Sequence, residues 1–299
     1  MNIQIRHVRS FIAVAHEKNF ARAAKHLNVS QPALSQTIIQ LEESLGFDVF
    51  KRTTRRVSLT PSGERVLARA MEFNLAVDRF FGDLRSLQSA LRNELHVGFM
   101  IGTAVQFIPA IVREFEKERP DASLLLKEFD FSDPSAGLRD GIVDCGIIRP
   151  PVGLEDLEII EIAHEKCVAC VPVGHRLSDR ATVVLADILD EPIIASSTPG
   201  IWRDYWLATE YRKGRLPKVA FEASTVESEL QAVASGKGIS ITAESTAKYY
   251  VRPGVIFKQI IDMPDCVMAI AYRGTPNKLV IDFLAAANRV SRTSDQGAS

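Results

Sequence analysis

Cysteine is scarce. Four occur among 299 residues, with none of the dense spacing of a disulfide framework. That excludes a small secreted scaffold held by disulfides and fits a reducing cytosol. Long hydrophobic runs are missing too: no apolar stretch reaches the ~18 residues of a membrane span. The first residues enter an amphipathic pattern directly, without the layout of a secretory leader. A cytoplasmic location with no membrane partner is therefore expected. Neither GxSxG nor HExxH occurs, and the six histidines are scattered without an obvious catalytic partner. No enzyme is expected, and no cofactor. His164, Cys167, Cys170 and His175 have a spacing reminiscent of zinc ligands. However, the segment from Cys167 to Cys170 reads as a buried strand, where residues three apart point to opposite faces, so no metal is expected. Gly236-Lys237-Gly238 lacks the rest of a phosphate loop and reads as a helix C-cap.

Net charge is nearly absent as well, but its distribution is uneven. The chain as a whole carries −1, while residues 1–60 hold nine Lys/Arg against four acids, a local charge of +5 on a remainder of −6. A basic head on an acidic body is expected where only the head meets a polyanion.

What that head contains is a pair of short helices. Asn19 can cap the first, over Phe20 to Leu27, with Ala23, Ala24 and Leu27 inward. Asn28-Val29 makes the turn. Ser30 caps the second helix, Pro32 fits its first turn, and Gly46 ends it. Leu34, Ile38, Leu41 and Leu45 recur at helical spacing and form the buried face. Left outward are Gln31, Ser35, Gln36, Thr37 and Gln40, uncharged hydrogen-bonding side chains where a purely structural helix usually shows Lys and Glu. Glutamine offers a donor and an acceptor together, matching the adenine edge in a major groove. The alternative is an ordinary packed helical hairpin. A helix over Ile5 to Glu17, with Ile5, Val8, Phe11, Ile12 and Ala15 inward, would complete a three-helix unit.

The segments SQPALSQTIIQLEESLG and VFKRTTRRVSLTPSGE resemble the N-terminal domain of LysR-type transcriptional regulators. The resemblance is motif-specific over residues 1–65 and architectural beyond. Many members carry Arg where this chain has Gln36. It implies a winged helix-turn-helix over 1–60 that binds double-stranded DNA through Ser30, Gln31, Pro32, Ser35 and Gln36. The short β-type runs at Val49-Phe50 and Val57–Leu59 read as a wing, with a basic tip between them. Arg52 and Arg55 there would hold phosphates or enter the minor groove.

From Thr60 a helix begins, with Pro61 at its first position. Val66, Ala70, Phe73, Val77, Phe80, Leu84, Leu87 and Leu91 then alternate steps of four and three. That strict 3.5-residue period marks residues 61–91 as a linker helix with a self-association seam. A homodimer, pairing further into a homotetramer, would set two reading heads on an interrupted palindrome. RNA polymerase would join the partners if the protein activates.

Residues 92–299 alternate β and α patterns. The expected order is strand Glu94–Met100, a helix after Gly102-Thr103, strand Ser123–Glu128, a short helix at 135–141 and a strand at 144–148. A crossing into a second lobe follows near 163–165. That lobe would hold strands Lys166–Val171, Pro192–Ala195, Lys218–Glu222 and Ile239–Thr242, with helices Val184–Leu189, Ile201–Tyr211, Val226–Ser235 and Glu244–Tyr249 between and after them. The chain returns near 261–263 to strand Val267–Tyr272 and helix Asn277–Val290. Lobe I would take 92–163 and 266–299, and lobe II 164–265, with a frayed tail from Ser291. The fold class is thus α/β: a winged helix-turn-helix, a long linker helix and a bilobal periplasmic-binding-protein-like (type II) effector domain. Ligands of open α/β sheets sit beyond the carboxyl ends of strands. Gly102, Thr103, Ser132, Ser196, Thr198, Pro199 and Thr225 lie in such turns and suit a small anionic effector, most simply a carboxylate. Arg149 would add a fixed positive charge and Trp202 an apolar wall. Ser224 with Glu227 reads as a capping box, so some of these residues have a purely structural reading. Two other functions compete. A solute-binding protein or enzyme would need an export signal or a catalytic constellation, and neither is visible. A thiol-based redox regulator would need no ligand.

Overall fold

The Asn19 side-chain oxygen accepts the Arg22 amide at 3.0 Å, and the Ser30 hydroxyl accepts the Ala33 amide at 3.3 Å. These two caps start helices α2 (Phe20–His26) and α3 (Gln31–Leu45), behind α1 (Ile5–Glu17). Asn28 turns between them at φ 53°, and Gly46 ends α3 at φ 78°. The computed structural model describes residues 2–53 and 56–296. Phe11, Val14, Ala23, Ala24, Leu34, Ile38 and Leu41 bury together as the core of this unit. The inward face of α1 is rotated from the expected one, with Val14 fully buried and Ile5 exposed.

Strands β1 (Phe50–Thr53) and β2 (Arg56–Leu59) pair antiparallel, Phe50 opposite Leu59 and Thr53 opposite Arg56. The wing strands thus take in Lys51, Arg52 and Arg56, which the sequence reading puts in the tip. Arg55 lies outside the described residues. Glu42 on α3 accepts the amides of Val49 and Phe50 at 3.0 and 3.2 Å, pinning the wing to the end of that helix. Helix α4 (Pro61–Arg92) follows, with the Thr60 hydroxyl accepting the Gly63 amide at 2.9 Å. Gly63 packs on the Val49 carbonyl so closely that a Cβ would come within 2.1 Å of its oxygen. Gly63→Ala should therefore destabilise this unit by about 1–3 kcal/mol, as overpacking does. Thermal unfolding of the variant checks this.

The chain divides into two compact units, Met1–Phe80 and Phe81–Ser299. The second begins within α4, whose Ser89 hydroxyl donates to Asp144 at 3.0 Å. It contains β3 (Glu94–Met100), α5 (Ile108–Glu118), β4 (Ser123–Phe129), β5 (Cys145–Ile148) and β6 (Leu157–Glu165). Next come β7 (Cys167–Pro172), β8 (Thr182–Val183), α6 (Leu185–Ile188), β9 (Ile193–Ser196), α7 (Ile201–Trp206) and β10 (Val219–Ala223). Helix α8 (Val226–Ala234), β11 (Ser240–Ala243), α9 (Glu244–Tyr249), β12 (Val255–Ile260), β13 (Cys266–Arg273) and α10 (Lys278–Gln296) complete it.

One sheet has the order β4-β3-β5-β13-β6, and a second has β11-β7-β12-β8, with β9 and β10 paired parallel beside it. Helices α5 and α10 cover the first sheet through Ile111, Phe115, Leu279 and Phe283. The chain passes between the sheets twice, at Glu165–Cys167 and between Ile260 and Cys266. Cys167 packs in one core of the second lobe and Cys170 in another, so the two sulfurs lie on opposite sides of β7.

Several expected elements differ. Residues 135–141 form turns without a helix. Ala136 and Gly137 both have positive φ, and the Asp133 carboxylate holds the Ser135 and Gly137 amides instead. The helix expected right after Gly102-Thr103 starts only at Ile108. The long helix expected from Ile201 breaks after Trp206, where Ala208 takes φ 50° before a short 3-10 turn. Buried Arg212 caps that break by donating to the Leu207 carbonyl at 2.8 Å. Strands β6, β8 and β12 are absent from the sequence reading. The α10 helix runs on to Gln296, through the stretch read as a frayed tail.

Candidate nucleic-acid interface and effector site

On α3 the caps and the buried stripe fix which side chains remain outside. Gln31, Pro32 and Gln36 are exposed and Ser35 is half-buried, all in its N-terminal half. Thr37 is turned inward on its own helix, its hydroxyl donating to the Ala33 carbonyl at 3.0 Å. Four of the expected contact residues thus share one end of one helix, beside strands that carry Lys51 and Arg52.

Along α4 the expected seam divides. Ala70 is buried and Val66 half-buried against the core of the N-terminal unit. These two positions are corrected: they pack on their own unit and leave little surface for a partner. Farther along, Phe73, Phe80, Leu84, Leu87 and Leu91 are exposed, Leu87 at 62% and Leu91 at 88%. Val77 is half-buried.

Between the two lobes of the C-terminal unit lies a cavity of about 40 Å³, room for a few water molecules. Met100, Ile101, Gly102 and Thr103 line it from the end of β3, and Phe131 from the loop after β4. Ser196, Trp202, Trp206, Val226, Glu229, Thr242 and Thr246 line it from the second lobe. The lobes meet closely around it. A Cβ on Gly102 would lie 2.6 Å from the Val226 side chain. The Phe131 ring lies 5.2 Å from that of Trp202, and the Phe131 amide donates to the Ser224 carbonyl at 2.9 Å. A ligand larger than a few waters therefore needs the lobes to part, and the two strand crossings supply the hinge.

Of the expected effector residues, Gly102, Thr103, Arg149, Ser196 and Trp202 come together in this cavity. Of the other four, all but Pro199 have local partners. Ser132 is exposed, with its amide and hydroxyl turned to the Asp130 carboxylate. The Thr198 amide donates to the Ser196 hydroxyl at 3.2 Å, and Pro199 is exposed. Thr225 caps α8 in a box with Ser228, so the expected box of Ser224 with Glu227 is also corrected. Its hydroxyl accepts the Ser228 amide at 3.1 Å.

Arg149, expected as a fixed positive charge for the effector, is held in place but already paired. Its guanidinium donates to Glu165 at 2.9 Å, to the Ser245 hydroxyl at 3.2 Å and toward the Cys266 sulfur at 3.5 Å. Both members of the ion pair are buried. Glu165 and Cys266 stand at the two strand crossings and Ser245 comes from α9 of the other lobe, so Arg149 ties the two crossings to that lobe. Burial pushes the Glu165 carboxyl up, but Arg149 and Ser245 outweigh it and hold the group below its usual range.

The cavity is rich in unpaired donors. Among the described residues, no hydrogen-bond partner meets the Thr103 hydroxyl or the indole N–H of Trp202 or Trp206. Glu229 was missed from the sequence. It is buried on the inner face of α8, and burial pushes its carboxyl up to about 7 against the opposing pull of the Ser240 hydroxyl. No sequence pattern marks it, since an acid in the first turn of a helix usually serves the helix dipole at the surface.

An exposed polar helix of a helix-turn-helix beside a basic wing, and a small cavity lined from both of two α/β lobes joined by two strand crossings, define a ligand-responsive DNA-binding protein. Residues 5–64 match the bacterial regulatory helix-turn-helix protein, lysR family, and residues 88–290 match the LysR substrate binding domain. The chain belongs to the LysR family of transcriptional regulators. It is 32% identical to the HTH-type transcriptional regulator AlsR of Bacillus subtilis (strain 168) over 304 residues, 99% of either chain. It is 34% identical to the HTH-type transcriptional regulator YnfL of Escherichia coli (strain K12), over 82% of this chain and 84% of that one. In structure it is similar to full-length CbnR complexed with its target DNA, with a TM-score of 0.52 and 25% identity over 97% of this chain and 100% of that one.

Proposed function

We propose that this regulator reads an interrupted palindrome in double-stranded DNA as a cytoplasmic homodimer that pairs into a homotetramer, under the control of a small anionic effector. Gln31 and Gln36 contact base edges, Ser30, Pro32 and Ser35 seat the helix, and Arg52 and Arg55 hold phosphates. The observation that carries the effector class is the set of unpaired donors in the cavity, two indole N–H groups and the Thr103 hydroxyl. A carboxylate has about four lone-pair sites to offer them. The aromatic and aliphatic walls then take its apolar part.

The signal follows from the hinge. A ligand that prefers one separation of the lobes shifts the population of that separation, and one without a preference changes nothing. Base reading is tested by gel shift. Gln31→Ala should lose about 1–3 kcal/mol on the cognate site and little on random DNA, whereas Arg55→Ala should weaken both and flatten the salt dependence. Equal losses for Gln31→Ala on both DNAs remove it from base reading.

A further inference from the structure

The effector cavity contains one acid that its architecture does not neutralise. Glu229 is buried, yet among the described residues no basic side chain faces it. On its own helix the neighbouring acid, Glu227, is at the surface with Arg252. From β7 it meets Cys170, a thiol pushed well up by burial. From β11 it meets the hydroxyl of Ser240, which registers opposite Cys170 and has no hydrogen bond of normal geometry. Strand β12 turns Phe257 to this side, opposite Cys170, while Lys258 registers with Ala169 in the other core. Strand β9 carries no titratable residue, and Glu222 of β10 pairs at the surface with Arg203. Tyr250 packs in the same core as a phenol pushed up by burial. Across the cavity stands Arg149, its charge already matched by Glu165.

A bare carboxylate ligand would therefore enter beside an unmatched acid. The donors Thr103, Trp202 and Trp206 favour an acceptor-rich ligand, and a protonated Glu229 would add one donor more. An ammonium ligand could pair with ionised Glu229 but would leave both indole N–H groups unpaired, a cost for each buried donor. Resting on the carboxylate reading above, we infer that Glu229 receives the effector carboxylate by sharing one proton with it, so that binding takes up a proton from solution. Burial already places the free carboxyl near 7, so the proton is half present before the ligand arrives at neutral pH. Below that point the competent form prevails and affinity is flat. Above it the competent fraction, and with it the apparent affinity, falls about tenfold per pH unit.

The test is calorimetry on the full chain with propionate and benzoate as probes, propylammonium and benzylammonium as shape-matched counterparts, from about pH 6 to about pH 8.5. The wild type should bind a carboxylate with that alkaline loss. Two buffers of different ionisation enthalpy should report close to one proton taken up at the alkaline end. Glu229→Gln, a fixed neutral donor, should bind the same probe with no such slope, at about the wild-type acid-side affinity. If that variant fails to fold, proton uptake by the wild type still decides. A carboxylate that binds with no pH slope and no proton uptake, or a slope retained in the Gln variant, overturns the proton sharing and leaves the carboxylate reading standing. Binding of the ammonium probes alone, or of no carboxylate at any pH, overturns both.

Discussion

Glu165→Ala should cost the C-terminal unit about 3–5 kcal/mol, because it leaves the Arg149 guanidinium buried without its counter-charge. The neighbours that remain, the Ser245 hydroxyl and the Cys266 sulfur, are neutral and cannot replace a carboxylate. Glu165 also accepts the Ser245 amide at 3.1 Å, so the substitution strands an amide on the opposite lobe as well. The double variant Arg149→Met with Glu165→Leu should recover much of the loss, since well-packed apolar residues often replace a buried pair without penalty. Urea unfolding of the three proteins reads the difference as a shift in midpoint. The pair also sets an acid limit. The folded-state carboxyl is held below its usual range, so its contribution is complete above the unfolded value of about 4.3 and disappears as pH falls through the folded one. The Ala variant should lack that segment of the acid-unfolding curve. A Glu165→Ala protein as stable as the wild type would remove the hinge role given to this pair.

Local chemistry explains what the sequence made visible. The helix-turn-helix is set by caps and turn residues within a few positions of each other, so Asn19, Asn28, Ser30 and Gly46 could be read directly. The α9 helix, Glu244–Tyr249, begins and ends where its pattern does. Features that depend on distant partners were hidden. Strand β6 carries a bulge where Ile162 is inserted opposite Met268 and Ala269. One extra residue breaks the two-residue period by which a strand is recognised. The Arg149 partner is 16 residues away and its second lobe contact 96 away, so a charge that looked available is matched only in three dimensions. Glu229 shows the reverse: nothing nearby in sequence forecasts that its helix turns an acid inward. The cavity could be placed by topology, while the electrostatics within it depend on contacts between lobes.

Leu87→Asp together with Phe80→Asp should leave a folded monomer that binds a single half-site as the wild type does and loses about 10²–10⁴-fold on a paired site. Both side chains are exposed on α4, at 58% for Phe80 and 62% for Leu87. A string of exposed aromatic and aliphatic residues at steps of three and four is costly in water unless a second copy covers it. Two charges on that stripe remove the apolar gain and set like charges against each other across a two-fold contact. Tethering of the two heads then fails, and the second half-site no longer benefits from a high effective concentration. Ala70→Asp is the internal contrast. It falls on the same period but in the core of the N-terminal unit, so it should unfold the reading head rather than separate the copies. Sedimentation distinguishes the outcomes, with gel shifts on single and paired half-sites beside it. A Phe80→Asp, Leu87→Asp protein that still sediments as an oligomer with full paired-site affinity would assign self-association to a surface other than α4.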